Sequence, residues 1–317
     1  MRALVTGAAG FVGSTLSEHL IACGDEVVGI DCFTDYYERS VKERNLSLLR
    51  GMPGFTFIED DLADAGLERL VSSVDTVFHL AGQPGVRGSW GGNFETYLRN
   101  NIRVTQRLLE AVRPIGLKSF VYASSSSIYG DAQSLPTPET VCPRPVSPYG
   151  VTKLAAEHLC ELYRTSYGIP TASLRLFTVY GPRQRPDMAF SRLVRAAVTG
   201  SVFELYGDGS QTRDFTYVDD VVRAMRNTAV KEWRGVANIG GGERTSLAAA
   251  MAVIEALCGH LQVVRRDVAV GDVGHTGADT TLARAELGFA PETTIEVGLP
   301  AMVAAERQVV RPWAEAG

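Results

Sequence analysis

Short apolar runs alternate along the first half of the chain with longer stretches whose apolar positions repeat at helical spacing. The runs are "RALVTG", "EVVGID", "FTFIEDD", "DTVFHLAG", "KSFVYASSS" and "TASLRLFTV". That pattern reads as buried parallel strands. The helix-period segments between them include Phe11 to Cys23, Asn93 to Val112 and Tyr149 to Tyr167. Strands alternating with helices predict an α/β fold, a doubly wound parallel sheet with right-handed crossovers. No internal repeat or low-complexity tract interrupts the pattern.

After Tyr180 the rhythm changes. "GPRQRPD" is rich in Pro and Arg, a helix starts at about Ala189, and "VFELYGDG" reads as a short strand. The expected organisation is a first domain over residues 1–177 and a smaller C-terminal α/β domain over residues 178–317. "VANIGGG", near Val236, reads as one more buried strand, so residues 216–241 are expected to cross back into the first domain.

Composition narrows the class. The chain has 317 residues, 45% hydrophobic and 21% charged, enough to bury one large core or two unequal ones. A formal net charge of -5 without a Lys/Arg cluster argues against nucleic acid and membrane surfaces as partners, since both require a basic footprint. A small-molecule partner is expected. The start, Met1-Arg2-Ala3-Leu4-Val5-Thr6-Gly7, has no charged region followed by a long apolar stretch, so a cytoplasmic location is expected. Five cysteines (Cys23, Cys32, Cys142, Cys160, Cys258) are scattered, with no CxxC pair and no zinc-spaced His. They are expected to be buried, reduced fillers, and no metal site is expected.

Gly7-Ala8-Ala9-Gly10-Phe11-Val12-Gly13 follows the first strand and opens the first helix. Glycines there permit a tight turn and let backbone amides approach a pyrophosphate. Asp31 ends the second strand, where an acid accepts from a ribose 2'-hydroxyl and repels a 2'-phosphate, so NAD is favoured over NADP. The expected sheet is therefore of the Rossmann type. Asp61 and Leu62, after the third strand, are candidates to hold the adenine, although an acidic cluster serves equally as a helix cap. Leu80 and Ala81, at the end of the fourth strand, complete this part of the cofactor set.

Tyr149 and Lys153 stand four residues apart at the start of a predicted helix, hence on one face. A phenol with a pKa of about 10 becomes a usable base when a lysine and an oxidised nicotinamide pull that value toward neutrality. Such a pair is otherwise ordinary surface. Beside a dinucleotide fold it reads as proton chemistry. GxxGxxG, the serine run before "YG", YxxxK and "RLFTVYGPRQRPD" together resemble the extended short-chain dehydrogenase/reductase family that acts on nucleotide sugars, over nearly the whole chain.

The resemblance implies Tyr149 as base, Lys153 holding the nicotinamide ribose and tuning the phenol, and Ser125 sharing the substrate hydroxyl's proton. It also implies NAD as a resident cofactor, and a homodimer in which residues 93–112 and 149–167 pack against their symmetry mates. Asn101 in "NNIRVT" matches a family position near the active-site helix. It reads equally as a buried helix asparagine bonded to a backbone partner.

"SSSSIYG" carries hydroxyls and no acid. Dehydratases of the resembled family place an Asp-Glu pair before the Val or Ile of the "YG" stretch, where this chain has Ser126 and Ser127. Decarboxylases of sugar acids keep a glutamate at the position of Ser127. What the resemblance leaves is oxidation and reduction without further acid-base work, which is epimerisation. Epimerases for neutral hexoses usually carry Asn where this chain has Thr178. Thr178, Ser126 and Ser127 can each donate to an anionic oxygen, and Arg185 can add a charge-assisted bond. The stretch "FTVYGPRQRPDMAF" is similar to that of UDP-glucuronate 4-epimerases, so a UDP-sugar acid is the expected substrate.

Plainer roles exist for the same residues. Thr178 is also an ordinary β-former at a strand end, and Arg183 and Arg185 a solvated loop pair. By the resemblance, Arg213 in "GSQTRDF" binds the diphosphate, with Arg87 in "PGVRGSW" a second candidate. Where many relatives read R-P-G-D, this chain reads Ala269-Val270-Gly271-Asp272, which lacks the usual arginine and leaves Asp272 as a candidate for the uridine ribose. The rival activities are UDP-glucose or UDP-N-acetylglucosamine 4-epimerase and UDP-glucuronate decarboxylase. A non-catalytic NAD-binding protein of the same fold is a rival of another class, against which Tyr149, Lys153 and Ser125 all argue.

Overall fold

The computed structural model describes residues 1–131, 133–267 and 273–314. Its strands run in chain order β1 (Arg2–Thr6), β2 (Glu26–Asp31), β3 (Phe55–Glu59), β4 (Thr76–His79), β5 (Ser119–Ser125), β6 (Thr171–Leu176), β7 (Val179–Tyr180), β8 (Phe203–Tyr206), β9 (Thr212–Asp214), β10 (Thr216–Tyr217), β11 (Gly235–Ile239), β12 (Arg244–Ser246) and β13 (Val263–Arg266). The α-helices are α1 (Phe11–Ala22), α2 (Arg39–Leu46), α3 (Leu67–Val71), α4 (Phe94–Tyr97), α5 (Val104–Val112), α6 (Pro148–Tyr167), α7 (Ala189–Thr199), α8 (Val218–Val230), α9 (Leu247–Cys258) and α10 (Ile295–Ala314).

The main sheet has seven strands in the order β11-β6-β5-β4-β1-β2-β3, each paired in parallel with its neighbours. Alternate side chains feed opposite layers. Ala3, Val5, Phe78 and Val121 pack with Leu16 and Leu20 of α1 and Val221 and Met225 of α8. Leu4, Val77, Phe120 and Tyr122 pack with Leu108 of α5 and Ala156 and Cys160 of α6. Consecutive apolar residues are what such two-sided burial requires. The strand order reverses between β1 and β4, which opens a crevice at the carboxyl ends of the sheet.

A third core joins Phe190 and Leu193 of α7, Phe203 and Leu205 of β8, Leu247 and Ile254 of α9 and Leu299 of α10. Small two-stranded sheets accompany it: β8 with β13 in parallel and β9 with β12 antiparallel. β11, the "VANIGGG" run, returns to the main sheet beside β6, and α8 lies in the core against α1.

Three expectations need correction. β3 is not a buried strand: it forms the sheet's edge, and its residues are half-buried or exposed. Residues 93–112 are not one regular helix, because Leu98–Arg103 form a π-helical turn between α4 and α5. Among the cysteines Cys160 is buried, but Cys23 and Cys142 are exposed and Cys32 and Cys258 partly so. Cys23 closes α1 at its C-terminal end and Cys142 lies in the loop leading to α6, so neither is aimed into a core. Among the described residues no helix is long and apolar enough to cross a membrane.

Candidate active site

The first turn is built by close backbone approach. Gly7 has φ +72°, and a Cβ there would stand 3.0 Å from the Ala81 nitrogen, while a Cβ on Gly13 would collide with the Gly7 carbonyl. Side chains are excluded at both positions. Asp31 accepts from the amides of Ala9 at 3.2 Å and Phe33 at 2.8 Å. Burial raises its pKa, and nearby Lys42 and those amides oppose the rise. The groove beside this turn, about 200 Å³, is lined by Gly7, Gly10, Phe11, Val12, Gly13, Asp31, Asp61, Leu62, Leu80 and Ala81. Every cofactor residue expected from the first four strands thus lines one groove. A cradle that any Cβ would fill, with an amide-held carboxylate at the next strand end, fits a dinucleotide.

Asp61 does double duty in the groove wall. One oxygen caps Ala63 N at 2.8 Å and the other pairs with Arg99 at 2.9 Å. The groove also takes in Thr34, Tyr36, Tyr37 and Lys42, which the sequence reading did not single out. The polar and aromatic run "DCFTDYYERSVK" directly after Asp31 is the signal that points to them.

At the other end of the crevice, Ser147 caps α6 by accepting from Gly150 N at 3.1 Å, with Pro148 in the first turn. A Cβ on Gly150 would stand 2.6 Å from the Ser127 carbonyl, so glycine lets α6 press against the short turn Ser126–Ile128. Tyr149 and Ser125 meet there. Ser125 Oγ accepts from Ser127 N at 3.1 Å, which leaves its hydrogen free to donate to the phenol. Burial raises the Tyr149 pKa, and the bond from Ser125 and the charge of Arg185 draw it back.

Lys153 lies with Nζ 4.3 Å from the centre of the Tyr122 ring. Burial lowers its pKa to about 8, with Cys160 and Glu157 opposing. In the protein alone, the cation whose charge bears on Tyr149 is Arg185. Arg185 is itself gripped by Asp187 through two bonds of 3.0 and 3.1 Å, so it is not the solvated loop cation of the plainer reading. Arg183 is not solvated either, and pairs with Glu18 on α1 at 2.8 Å.

Asn101 sits in the π turn, 1% exposed. Its amide accepts from Gln83 N at 2.6 Å and donates to Gln83 O at 3.1 Å and Thr152 Oγ1 at 2.9 Å. A second chain supports it from below. Thr6 Oγ1 accepts from the amides of Leu80 and Ala81 at 3.1 Å, so its own hydrogen goes to His79 Nδ1 at 2.8 Å. His79 Nε2 then carries the ring hydrogen and donates to Thr105 Oγ1 at 3.0 Å, which donates to the Asn101 carbonyl at 2.6 Å. Burial holds the His79 pKa near 3, so the ring stays neutral.

A cavity of about 400 Å³ joins these parts and is lined by Ser125, Ser126, Ser127, Tyr149, Lys153, Thr178, Arg185 and Arg213, among others. No carboxylate occurs among the described residues that line it. A second cavity of about 400 Å³ adjoins it through Thr178, Arg185 and Arg213 and adds Arg87, Arg192, Phe203 and Tyr206. Arg87 stacks over the Tyr206 ring at 4.1 Å, and Arg213 donates to the carbonyls of Thr212, Val273 and Gly274. Arg192, Phe203 and Tyr206 gave no signal in the sequence, since they occupy ordinary helix and strand positions. Asp272 lies outside the described residues.

The profile of the NAD dependent epimerase/dehydratase family matches residues 3–240. The chain is 44% identical to YtcB of Bacillus subtilis, named an uncharacterized UDP-glucose epimerase, over 94% of this chain and 96% of that protein. It is 36% identical to the UDP-glucuronate 4-epimerase of Thermodesulfobacterium geofontis, over 93% of each. The crystal structure of UDP-glucuronic acid 4-epimerase from Bacillus cereus, in complex with UDP-glucuronic acid and NAD, superposes with a TM-score of 0.93 at 41% identity, over 98% of this chain and all of that one. The chain belongs to the NAD dependent epimerase/dehydratase family.

The Asp31 carboxylate, held between two amides at the groove, should exclude a 2'-phosphate. Nucleotide released from the purified protein by denaturation and resolved by chromatography should be NAD, and recovery of mainly NADP would refute the assignment.

Proposed function

We propose that this protein is a UDP-glucuronate 4-epimerase, an isomerase that interconverts UDP-glucuronate and UDP-galacturonate through a transient 4-keto sugar. The observation that carries the reading is the cavity at Tyr149, walled by hydroxyls and cations with no carboxylate among its described residues. Such a wall complements an anionic sugar and lacks the acid-base pair that eliminating water needs. NAD, when bound, supplies the acceptor that takes and returns a hydride.

Tyr149 takes the proton of the C4 hydroxyl and Ser125 hydrogen-bonds the same oxygen. Lys153 holds the nicotinamide ribose and favours the phenolate. The glycine turn and Asp31 bind the dinucleotide. Arg87, Arg185 and Arg213, with Arg192 beside them, provide the positive charge for a diphosphate. Residues 1–177 with 216–241 serve as the NAD-binding unit, and the remainder of 178–317 as the nucleotide-sugar unit. Val151, Leu162 and Tyr167 leave apolar surface on α6, at 47, 53 and 55% exposure, which supports a homodimer built on that helix in a cytoplasmic enzyme.

The 4-keto sugar acid is a β-keto acid, and it loses carbon dioxide fastest when the C5–C6 bond stands perpendicular to the carbonyl plane. Thr178, Ser126 and Ser127 fix the carboxylate away from that alignment. Each bond to a charged acceptor contributes about 1.5–3 kcal/mol, a factor of roughly ten to one hundred and fifty in relative rates.

Incubating the purified protein with UDP-glucuronate and no added NAD should yield UDP-galacturonate by NMR. Turnover of UDP-glucose alone would reject the reading. Thr178→Ala should slow epimerisation about tenfold or more and raise the share of a decarboxylated 4-keto pentose. Full activity without decarboxylation in both Thr178→Ala and Ser127→Ala would reduce the hydroxyl wall to packing. Light scattering at micromolar concentration should give the mass of a dimer, and a monomer would contradict the α6 interface.

A further inference from the structure

Behind the cavity, on the face of α6 that carries Tyr149 and Lys153, lies Glu157, 3% exposed. Steps of four residues place the three side chains one above another on the helix. The Glu157 carboxylate accepts from Ser124 Oγ of β5 at 2.6 Å. Arg175 of β6 donates to it from Nη2 at 2.7 Å and from Nε at 3.2 Å to both oxygens. Arg175 also reaches Tyr129 Oη at 2.6 Å, which donates to Asn238 of β11 at 2.8 Å. The carboxylate thus ties α6 to adjacent strands of the sheet, next to Ser125. None of these contacts belongs to the proton chemistry assigned above.

We infer that Glu157 is a positioning residue of this site, fixing α6 on β5 and β6 and supplying the buried negative charge that keeps Lys153 a cation. The groups packed around Lys153 decide this. Tyr122 from β5 presents its ring face, and burial pushes its phenol up, so it is neutral. His79 from β4 is neutral because burial and the charge of Lys153 itself push its pKa down to about 3. On α6, burial pushes the Cys160 thiol far above neutrality, so it too is uncharged. Tyr149 is a phenol until it gives up its proton, its pKa raised by burial. Glu157, clamped by Arg175, is the group left to act as an anion on Lys153 among these described residues.

The consequence is a matter of sign. Burial lowers the Lys153 pKa to about 8, and Glu157 opposes that fall. Without the anion the value drops further, and Lys153 loses its proton at a lower pH. A lysine with a pKa of about 8 is about nine-tenths charged at pH 7, and one unit lower it is about half charged. Substrate turnover enters only through the role given to Lys153 in the epimerase reading, and the charge of Lys153 can be measured without it.

The chain has four lysines, Lys42, Lys118, Lys153 and Lys231, so lysine labelled with 13C at Cε gives a resolvable NMR titration of the full chain as purified. Lys153→Met assigns the resonance. In Glu157→Gln the Lys153 midpoint should fall by about one pH unit, the size of effect expected on losing a nearby opposite charge. Because Glu157→Gln strands Arg175 in the interior and folding can suffer, the double variant Glu157→Gln/Arg175→Met removes both charges of the pair. It should melt closer to the wild type and show a midpoint lowered by less than in the single variant, because a nearby cation is lost with the anion. A midpoint that is unchanged in both variants overturns the inference and makes Glu157 an ordinary salt-bridge partner. A lowered midpoint in the variants together with a wild-type protein that leaves UDP-glucuronate untouched would instead sink the epimerase reading and leave this inference standing.

Discussion

Ionisable groups are held in the crevice walls on both sides of the strand-order reversal, partly or wholly out of contact with water, and the rest of the site is arranged around the cost of doing so. Burial raises the pKa of Asp31 and Tyr149 and lowers that of Lys153. Each of these shifts opposes the charged form that binding or chemistry requires. The structure answers each with a specific neighbour: amides and Lys42 at Asp31, Ser125 and Arg185 at Tyr149, Glu157 at Lys153. A buried charge without such a partner costs several kcal/mol. The functional side chains are therefore held less by their own packing than by an adjacent layer of partners, some of which, such as Lys42, Ser125 and Arg185, line the crevice themselves.

The fold was legible in the sequence because its parallel strands are buried on both faces and read as uninterrupted apolar runs. β11 begins 59 residues beyond the end of β6, its partner in the sheet, and was found only through the same signal in Gly235–Ile239. β3 was grouped with these strands although Thr56 separates Phe55 from Phe57 and Glu59 closes it, and that broken run stands at the sheet edge. The π turn at Asn101 was invisible for a related reason. It depends on bonds to Gln83, Thr152 and Thr105 that are distant or irregular in sequence, whereas helical periodicity continues through one extra residue almost undisturbed.

The site divides the same way. Residues recognised from motifs, such as the glycine turn, Asp31, Tyr149 and Ser125, occupy fixed places at strand ends and helix starts, where local backbone chemistry dictates residue type. Residues that act through space had no such signal. Arg192 and Tyr206 enter the second cavity from α7 and β8, and only the packing of those elements brings them beside Arg87. Arg185 was noticed for its charge, but its grip by Asp187 and its bearing on Tyr149 depend on the course of the loop after β7.

Hydroxyls in place of carboxylates also suit a site that must hold one substrate in two poses. Inversion at C4 requires hydride to leave one face of the ring and return to the other, so the sugar must turn within the cavity while its carboxylate stays controlled. A carboxylate side chain would repel the sugar acid in both poses, and a lone fixed cation would favour the one pose that it meets squarely. Ser126, Ser127 and Thr178 line the wall as rotors, each able to swing its hydrogen toward an oxygen that has moved. In the proposed reading Arg185 and Arg213, which lie where both cavities meet, would anchor the diphosphate end about which the sugar turns. Rigid recognition at that anchor and adjustable recognition at the reacting end would then let one constellation serve both half-reactions.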